Sequence, residues 1–89
     1  MFQVEWLQAA LDELARLWTQ ADSTLRQALT AASHEIDKRL RSDPLNEGES
    51  RPHGRRITFV APLAVTFRCD AAQKMVTVVE IRLFRPRFR

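Results

Sequence analysis

The sequence is short of several residue types, and each shortage excludes a class of protein. Its single cysteine, Cys69, cannot form a disulfide within the chain, so we expect a reducing compartment. One cysteine and two distant histidines offer no recognisable metal site, and no cofactor is expected. The longest apolar stretch, Ile57 to Ala64, is interrupted by a threonine and a proline and is far too short to span a membrane. No signal-peptide pattern is present either, so we expect a cytoplasmic protein without a membrane partner.

The charges that are present are divided unevenly along the chain. At 89 residues, the chain is expected to form a single domain, 1–89, with one modest core. Residues 1–50 hold five Lys/Arg against nine Asp/Glu, a net charge of −4, whereas residues 51–89 hold nine against two, a net charge of +7. A basic segment that follows an acidic one predicts a surface for a polyanion or an acidic partner.

The first half has the periodicity of two helices. Apolar residues spaced four, three and four positions apart predict one helix, whose core-facing stripe is Leu7, Leu11, Leu14 and Trp18. A second helix is predicted by the stripe Leu25, Leu29, Ala32, Ile36 and Leu40. Asp22 and Ser23 can accept hydrogen bonds at its start, and Asp43-Pro44 ends it. The two helices therefore form an αα-hairpin.

The remaining segments are predicted to form strands and one long loop. Phe2 to Glu5 alternates like a short strand, and Leu45 to Arg55 has the polar composition of a loop. Three further strands are predicted at Ile57–Val60, Leu63–Cys69 and Met75–Phe84. Their short connections predict an antiparallel meander. The expected fold class is α+β, with a short N-terminal strand and two helices packed on an antiparallel sheet of three or four strands.

Alternation along the last two strands separates a core face from a second face. The odd-numbered residues of Leu63–Cys69 are apolar, which places Cys69 in the core-facing register. In the last strand, strict alternation leaves Val76, Val78 and Phe84 among the charges of the second face. This face is more apolar than a solvated sheet requires, so we expect a partner segment to cover it.

Short motifs along nearly the whole chain point to a known family by their order and spacing. They are Val4-Glu5-Trp6-Leu7 leading into Ala10, Leu11 and Leu14; Ile36-Asp37 through Leu40 to Asp43-Pro44; Gly48-Glu49-Ser50-Arg51; Gly54-Arg55-Arg56; and Leu63-Ala64-Val65-Thr66-Phe67. Together with the order of strand, two helices, loop and meander, they resemble the RelE/ParE family of small bacterial toxins. The resemblance implies the toxin of a type II toxin–antitoxin module, active in growth inhibition and plasmid stabilisation and neutralised by a cognate antitoxin that wraps it.

The family has two branches with different targets. The RelE-like branch cleaves mRNA on the ribosome, whereas the ParE-like branch poisons DNA gyrase and lacks the catalytic set. Cleavage needs a base for the ribose 2′-hydroxyl, cations for the charge on the phosphorane and an acid for the leaving oxygen. The resemblance places Arg56 and Arg85 near the basic positions of the nucleases. His53 is the remaining candidate for proton transfer, although a histidine in a Pro-His-Gly loop is more often an exposed turn residue.

Two departures count against the nuclease. Ala64 stands where the nucleases usually have an arginine, and the absence of tyrosine removes their usual C-terminal residue. A ParE-like or divergent toxin is therefore preferred. An mRNA endoribonuclease that uses Arg56, Arg85 and His53 is one alternative, and a degenerate, non-toxic member that binds protein or nucleic acid is another, so whether the chain is an enzyme stays open.

Further arginines are expected to contact either an antitoxin or a nucleic acid, because guanidinium groups suit carboxylate and phosphate equally. They are Arg51, Arg55, Arg82, Arg87 and Arg89. Trp6 and Trp18 are interpreted as packing or interface residues rather than base-stacking platforms, and His34 as a surface residue of the second helix.

Overall fold

A computed structural model describes residues 1–84 of the chain. In chain order its elements are β1 (Gln3–Trp6), α1 (Gln8–Gln20), α2 (Ser23–Ser42), a 3₁₀ turn (Pro44–Asn46), β2 (Glu49–Arg51), β3 (Arg55–Val60), β4 (Leu63–Asp70) and β5 (Met75–Leu83). The strands form one sheet in the order β1-β5-β4-β3-β2, in which β1 runs parallel to β5 and the other neighbours are antiparallel. The expected α+β fold is confirmed. Neither of the two described α-helices is long and apolar enough to cross a membrane.

The segment 45–55, predicted as a loop, contains a strand that the sequence did not reveal. β2 pairs with β3 through a three-residue turn, 52–54, so the meander has four strands and the sheet has five. Gly48 leads into β2 with φ +69°, and a Cβ at this position would collide with the backbone carbonyl of Ile57. All three residues of β2 are exposed. No apolar alternation therefore marked the strand.

The face assignment predicted for β5 was wrong because the strand contains a β-bulge. Thr66 pairs with Glu80 and Phe67 pairs with Val78, so Val79 has no partner in β4. One extra residue exchanges the two faces of a strand. Val76 and Val78 accordingly lie in the core with no exposed surface, and they give no reason for a partner to cover the opposite face.

The core between α2 and the sheet follows the predicted pattern. Leu29, Ala32, Ile36 and Leu40 of α2 are buried, and so are Leu63, Val65 and Phe67 of β4. The carboxylate of Asp22 accepts a hydrogen bond from the backbone amide of Leu25 at 2.8 Å, as expected of an N-cap. Cys69 is half-buried beside this core, and burial raises the pKa of its thiol.

Helix α1 buries a different stripe from the one predicted. Ala10 and Leu17 face the core with 1% and 8% of their surface exposed, whereas Leu11 and Trp18 are each 43% exposed. Leu14 belongs to both stripes and is partly buried. Ala10, Leu14 and Leu17 are also spaced four and three residues apart, so periodicity alone could not tell which stripe packs on the sheet.

Candidate functional site

One face of the sheet is left uncovered by the helices, and we call it the open face. The cross-strand register places on it the side chains that alternate with the core residues. From β2 to β5 they are Glu49, Arg51, Arg55, Ile57, Phe59, Ala64, Thr66, Arg68, Asp70, Met75, Thr77, Glu80 and Arg82. Most of the polar ones are exposed. This face therefore offers charged groups on a rigid scaffold.

Three arginines stand side by side on the open face. Arg51 of β2 is paired with Arg55 of β3, which is paired in turn with Arg68 of β4. Neighbouring strands are about 4.8 Å apart, so these three residues, the arginine row, form a narrow cationic line across the sheet. Like charges directly opposite each other destabilise a sheet. An anion bound over the row would remove that repulsion.

The arginine row is little neutralised within residues 1–84. Arg55 and Arg68 form no ion pair or side-chain hydrogen bond there. Arg51 donates a hydrogen bond to the carbonyl of Ser50 at 3.1 Å, and its guanidinium lies 3.8 Å from the carboxylate of Glu49. At that distance, and with both side chains exposed, the ion pair is weak. The row is thus available to carboxylates or phosphates.

A groove of mixed charge lies beside the row, between α1 and β5. It has a volume of about 450 Å³ and is lined by Ala9, Glu13, Arg55, Val79, Glu80, Ile81 and Arg82. Arg82 donates to the carboxylate of Glu80 at 3.2 Å. The hydrogen bond from Arg16 holds the pKa of Glu13 below its usual range. Carboxylates and guanidinium groups therefore alternate along this groove.

The far end of the open face is aromatic. The rings of Phe59 and Phe84 lie 4.9 Å apart between centroids at 51°, and 44% and 37% of their surfaces are exposed. Ala64 is paired with Phe59 on one side and with Arg82 on the other. A small residue at this point leaves the edge of the aromatic pair accessible. The open face thus has a cationic end and an apolar end.

Arg56, predicted as a catalytic cation, is separated from the arginine row. It points to the helix side of the sheet, where its Nε donates to the carbonyl of Glu47 at 2.8 Å. Its two Nη groups donate to the Oγ of Ser50 and to the carbonyl of Gly48, at 3.0 and 3.1 Å. These bonds hold the segment that leads into β2. The geometry gives Arg56 a structural task, and its catalytic role stays a prediction.

The other predicted residues are only partly brought together. His53 lies exposed at the tip of the β2–β3 turn with φ 66°, between Arg51 and Arg55 in sequence. His34 is exposed on α2, as expected. The expectations for Arg85, Arg87 and Arg89 fall outside the described residues.

Sequence reasoning missed Arg68, the third member of the row. The signal was its position in β4, where it lies between the core-register residues Phe67 and Cys69 and so faces away from the core. Glu80 was also missed as a site residue. Alternation along β5 placed it correctly on the second face, but its carboxylate was not considered as part of the site.

Comparison with known proteins gives a match in structure only. No protein-family model and no curated protein matches the sequence. A chain of the RelBE2 toxin–antitoxin complex from Mycobacterium tuberculosis superposes with a TM-score of 0.72 at 16% identity, covering 92% of this chain and 90% of that chain. The ParDE toxin–antitoxin system from P. aeruginosa gives 0.69 at 17% identity, with coverages of 96% and 98%. The isolated RelE toxin from E. coli gives 0.65 at 14%, with coverages of 98% and 88%. The chain therefore has the fold shared by the RelE and ParE toxins.

Proposed function

We propose that the protein is the toxin of a type II toxin–antitoxin module and that a cognate antitoxin neutralises it by covering the open face. The arginine row carries this proposal, because Arg55 and Arg68 face each other and neither forms an ion pair within residues 1–84. The fold shared with RelE and ParE toxins supports it.

An acidic segment of the antitoxin fits the chemistry of the row. Carboxylates accept paired hydrogen bonds from guanidinium groups, and such charge-assisted bonds contribute about 1.5–3 kcal/mol each where water is excluded. Phe59 and Phe84 offer an apolar anchor at the other end of the same face. A partner with apolar and acidic residues on one side would contact both the arginine row and the aromatic pair.

For the target we favour the ParE-like branch, with DNA gyrase as its target, or a divergent one. The chain has no tyrosine, and Ala64 lies between Phe59 and Arg82 on the open face. The guanidinium of Arg56 is occupied by the backbone of residues 47 and 48. These features are a poor basis for general acid–base cleavage of RNA.

One observation favours the endoribonuclease as a second candidate. The groove beside the row brings the carboxylate of Glu80 together with Arg55 and Arg82. The carboxylate would accept the 2′-hydroxyl proton as the 2′-oxygen attacks the phosphorus, and the guanidinium groups would stabilise the phosphorane. The bond to the 5′-oxygen then breaks, and water would supply the proton that this leaving oxygen takes up. On this reading Glu80, rather than His53, is the base. A non-toxic binding protein is the remaining alternative.

Controlled expression in bacteria separates these functions. We expect induction to stop growth and co-expression of the neighbouring antitoxin gene to restore it. Sequencing of cellular RNA ends then identifies the target. Ribosome-phased cuts that disappear in Glu80→Gln would establish the nuclease, and intact RNA with a DNA-damage response would support the gyrase target. Normal growth together with no antitoxin complex would refute the toxin.

A matched pair of variants tests the open face directly. We expect the double substitution Arg55→Ala/Arg68→Ala to weaken antitoxin binding at least about tenfold, which corresponds to about 1.4 kcal/mol. The control, Arg16→Ala/Arg41→Ala, removes the same charge from the exposed surface of α1 and α2. Equal losses in both variants would indicate attraction by net charge alone and would contradict docking on the row.

A further inference from the structure

Within residues 1–84, no other element covers the stripe of α1 that does not face the core. We call it the outer stripe: Leu7, Leu11, Leu14 and Trp18. Leu7, Leu11 and Trp18 are 36%, 43% and 43% exposed. The stripe borders an open groove of about 450 Å³ between the two helices, lined by Trp6, Leu11, Leu14, Ser33, His34 and Asp37. Contiguous exposed apolar side chains beside a groove mark a site of interaction.

The spacing of the outer stripe fits a second helix with the same sequence. Four-three-four is the alternation of the d and a positions over two heptads, the seam of a coiled coil. This spacing is also the same when the helix is followed from its C-terminus to its N-terminus, as an antiparallel pair of identical helices requires. In an antiparallel pair, Leu7 therefore opposes Trp18 of the second copy, and Leu11 opposes Leu14 of the second copy. Gln8 and Ala15 beside the seam are uncharged, so no like charges meet there.

Charges near the two ends of the outer stripe fit the same arrangement. At one end Arg26 lies over the ring of Trp18, 5.3 Å from its centroid, and donates to the carbonyl of Trp18 at 2.9 Å. Asp37 lines the groove together with Trp6, which precedes Leu7 at the other end of the stripe. It accepts a hydrogen bond from Arg41 at 2.6 Å through one carboxylate oxygen. An antiparallel copy brings Arg26 of each molecule to Asp37 of the other.

We infer that α1 forms the interface of a two-fold homodimer, in which α1 and α2 of two copies make an antiparallel four-helix bundle. The occupant of the groove is then a second copy of this chain. The arginine row lies on the other face of the sheet, so the dimer leaves it accessible. The inference thus stands independently of the proposed function. The interface is small, so we expect association in the micromolar range.

Sedimentation equilibrium of the purified chain tests the inference. We expect the mass to rise from 10.3 kDa towards twice that value between about 1 and 500 µM. Leu11→Glu should weaken dimerisation at least about tenfold, because a charge would enter the apolar seam. Phe59→Glu is the matched control, since Phe59 is equally exposed at 44% but lies on the open face, and it should leave the dimer unchanged.

A charge exchange tests the antiparallel orientation. Arg26→Glu and Asp37→Arg should each weaken the dimer, and the double variant should restore it, with circular dichroism melts confirming that each variant is folded. A chain that remains monomeric at about 500 µM would overturn the inference. A dimer whose dissociation constant is unchanged by Leu11→Glu would also overturn the inference. So would hydrogen exchange in which the amides of α1 are protected only when the antitoxin is bound.

Discussion

Arg55 and Arg68 are directly opposed across β3 and β4, and neither side chain has a carboxylate partner within residues 1–84. A folded domain gains nothing from this pair, since like charges in register are unfavourable. Under the proposed function this pair binds an anionic partner, so its effect on the stability of the free protein and its effect on binding can be measured separately.

Arg68→Thr is expected to stabilise the free protein by about 0.2–1 kcal/mol, because it relieves the repulsion and introduces a residue suited to strands. The same change should weaken antitoxin binding. Urea denaturation and calorimetric titration measure the two effects. Arg41→Thr is the control, because it breaks the ion pair with Asp37 and should lower stability instead. If Arg68→Thr destabilised the free chain, the row would have a structural role.

Gly48→Ala is expected to cost at least about 2 kcal/mol of unfolding free energy. The residue has φ +69°, and a Cβ would meet the carbonyl of Ile57 in the neighbouring strand. Gly54 makes a matched comparison, because it has φ +71° but open space around the missing Cβ. Gly54→Ala should cost only about 1 kcal/mol. Equal decreases in the denaturation midpoints of the two variants would show that the close approach of Gly48 to Ile57 contributes nothing to stability.

Arg56→Lys separates a structural role of Arg56 from a catalytic one. Lysine keeps the charge but cannot make the three directed hydrogen bonds to residues 47, 48 and 50, so we expect a loss of about 1–3 kcal/mol in stability. Arg55→Lys, on the exposed face, should change stability by less than about 0.5 kcal/mol. Loss of toxicity in Arg56→Lys at unchanged stability would favour the catalytic role.

Stability should fall in acid partly through two helix ion pairs. Hydrogen bonds from Arg16 and Arg39 lower the pKa values of Glu13 and Glu35 in the folded chain. A carboxyl whose folded pKa is lowered stabilises the protein above its unfolded pKa, and this contribution disappears as the pH falls through the folded value. We expect the urea midpoint to decrease below about pH 4.3, and Glu13→Gln/Glu35→Gln to reduce that slope. In the unsubstituted chain, salt at about 1 M should also reduce the dependence of the urea midpoint on pH, because these ion pairs are exposed and therefore screened.

The sequence predicted those parts of the fold in which local pattern and packing agree. The stripe from Leu29 to Leu40 faces the core, and Asp22 caps α2. Both could be predicted because the capping side chain determines where α2 begins and its single apolar stripe determines which face it buries. For α1 the sequence offers two overlapping stripes. Only the position of β1 beside β5 decides that Ala10 rather than Leu11 is buried.

The candidate site was harder to predict because it depends on register. Arg51 and Arg55 were recognised from composition, yet Arg55 is aligned with Arg68 by the register of β3 and β4, and Arg51 joins them through β2, a strand with no apolar residue. A single bulge at Val79 then changed which side chains of β5 belong to the open face. Pairing between strands is set by long-range contacts, which alternation within one strand cannot reveal.

The position of β5 between β1 and β4 also constrains how the chain comes to be folded. The first strand finds its only neighbour in the last one described, with Gln3 paired to Met75. During synthesis, at about 5–20 residues per second, β1 and the sheet-facing side of α1 must therefore wait for nearly the whole chain to emerge. Contacts so distant in sequence also slow folding. A growing chain therefore has no complete sheet until β5 has emerged.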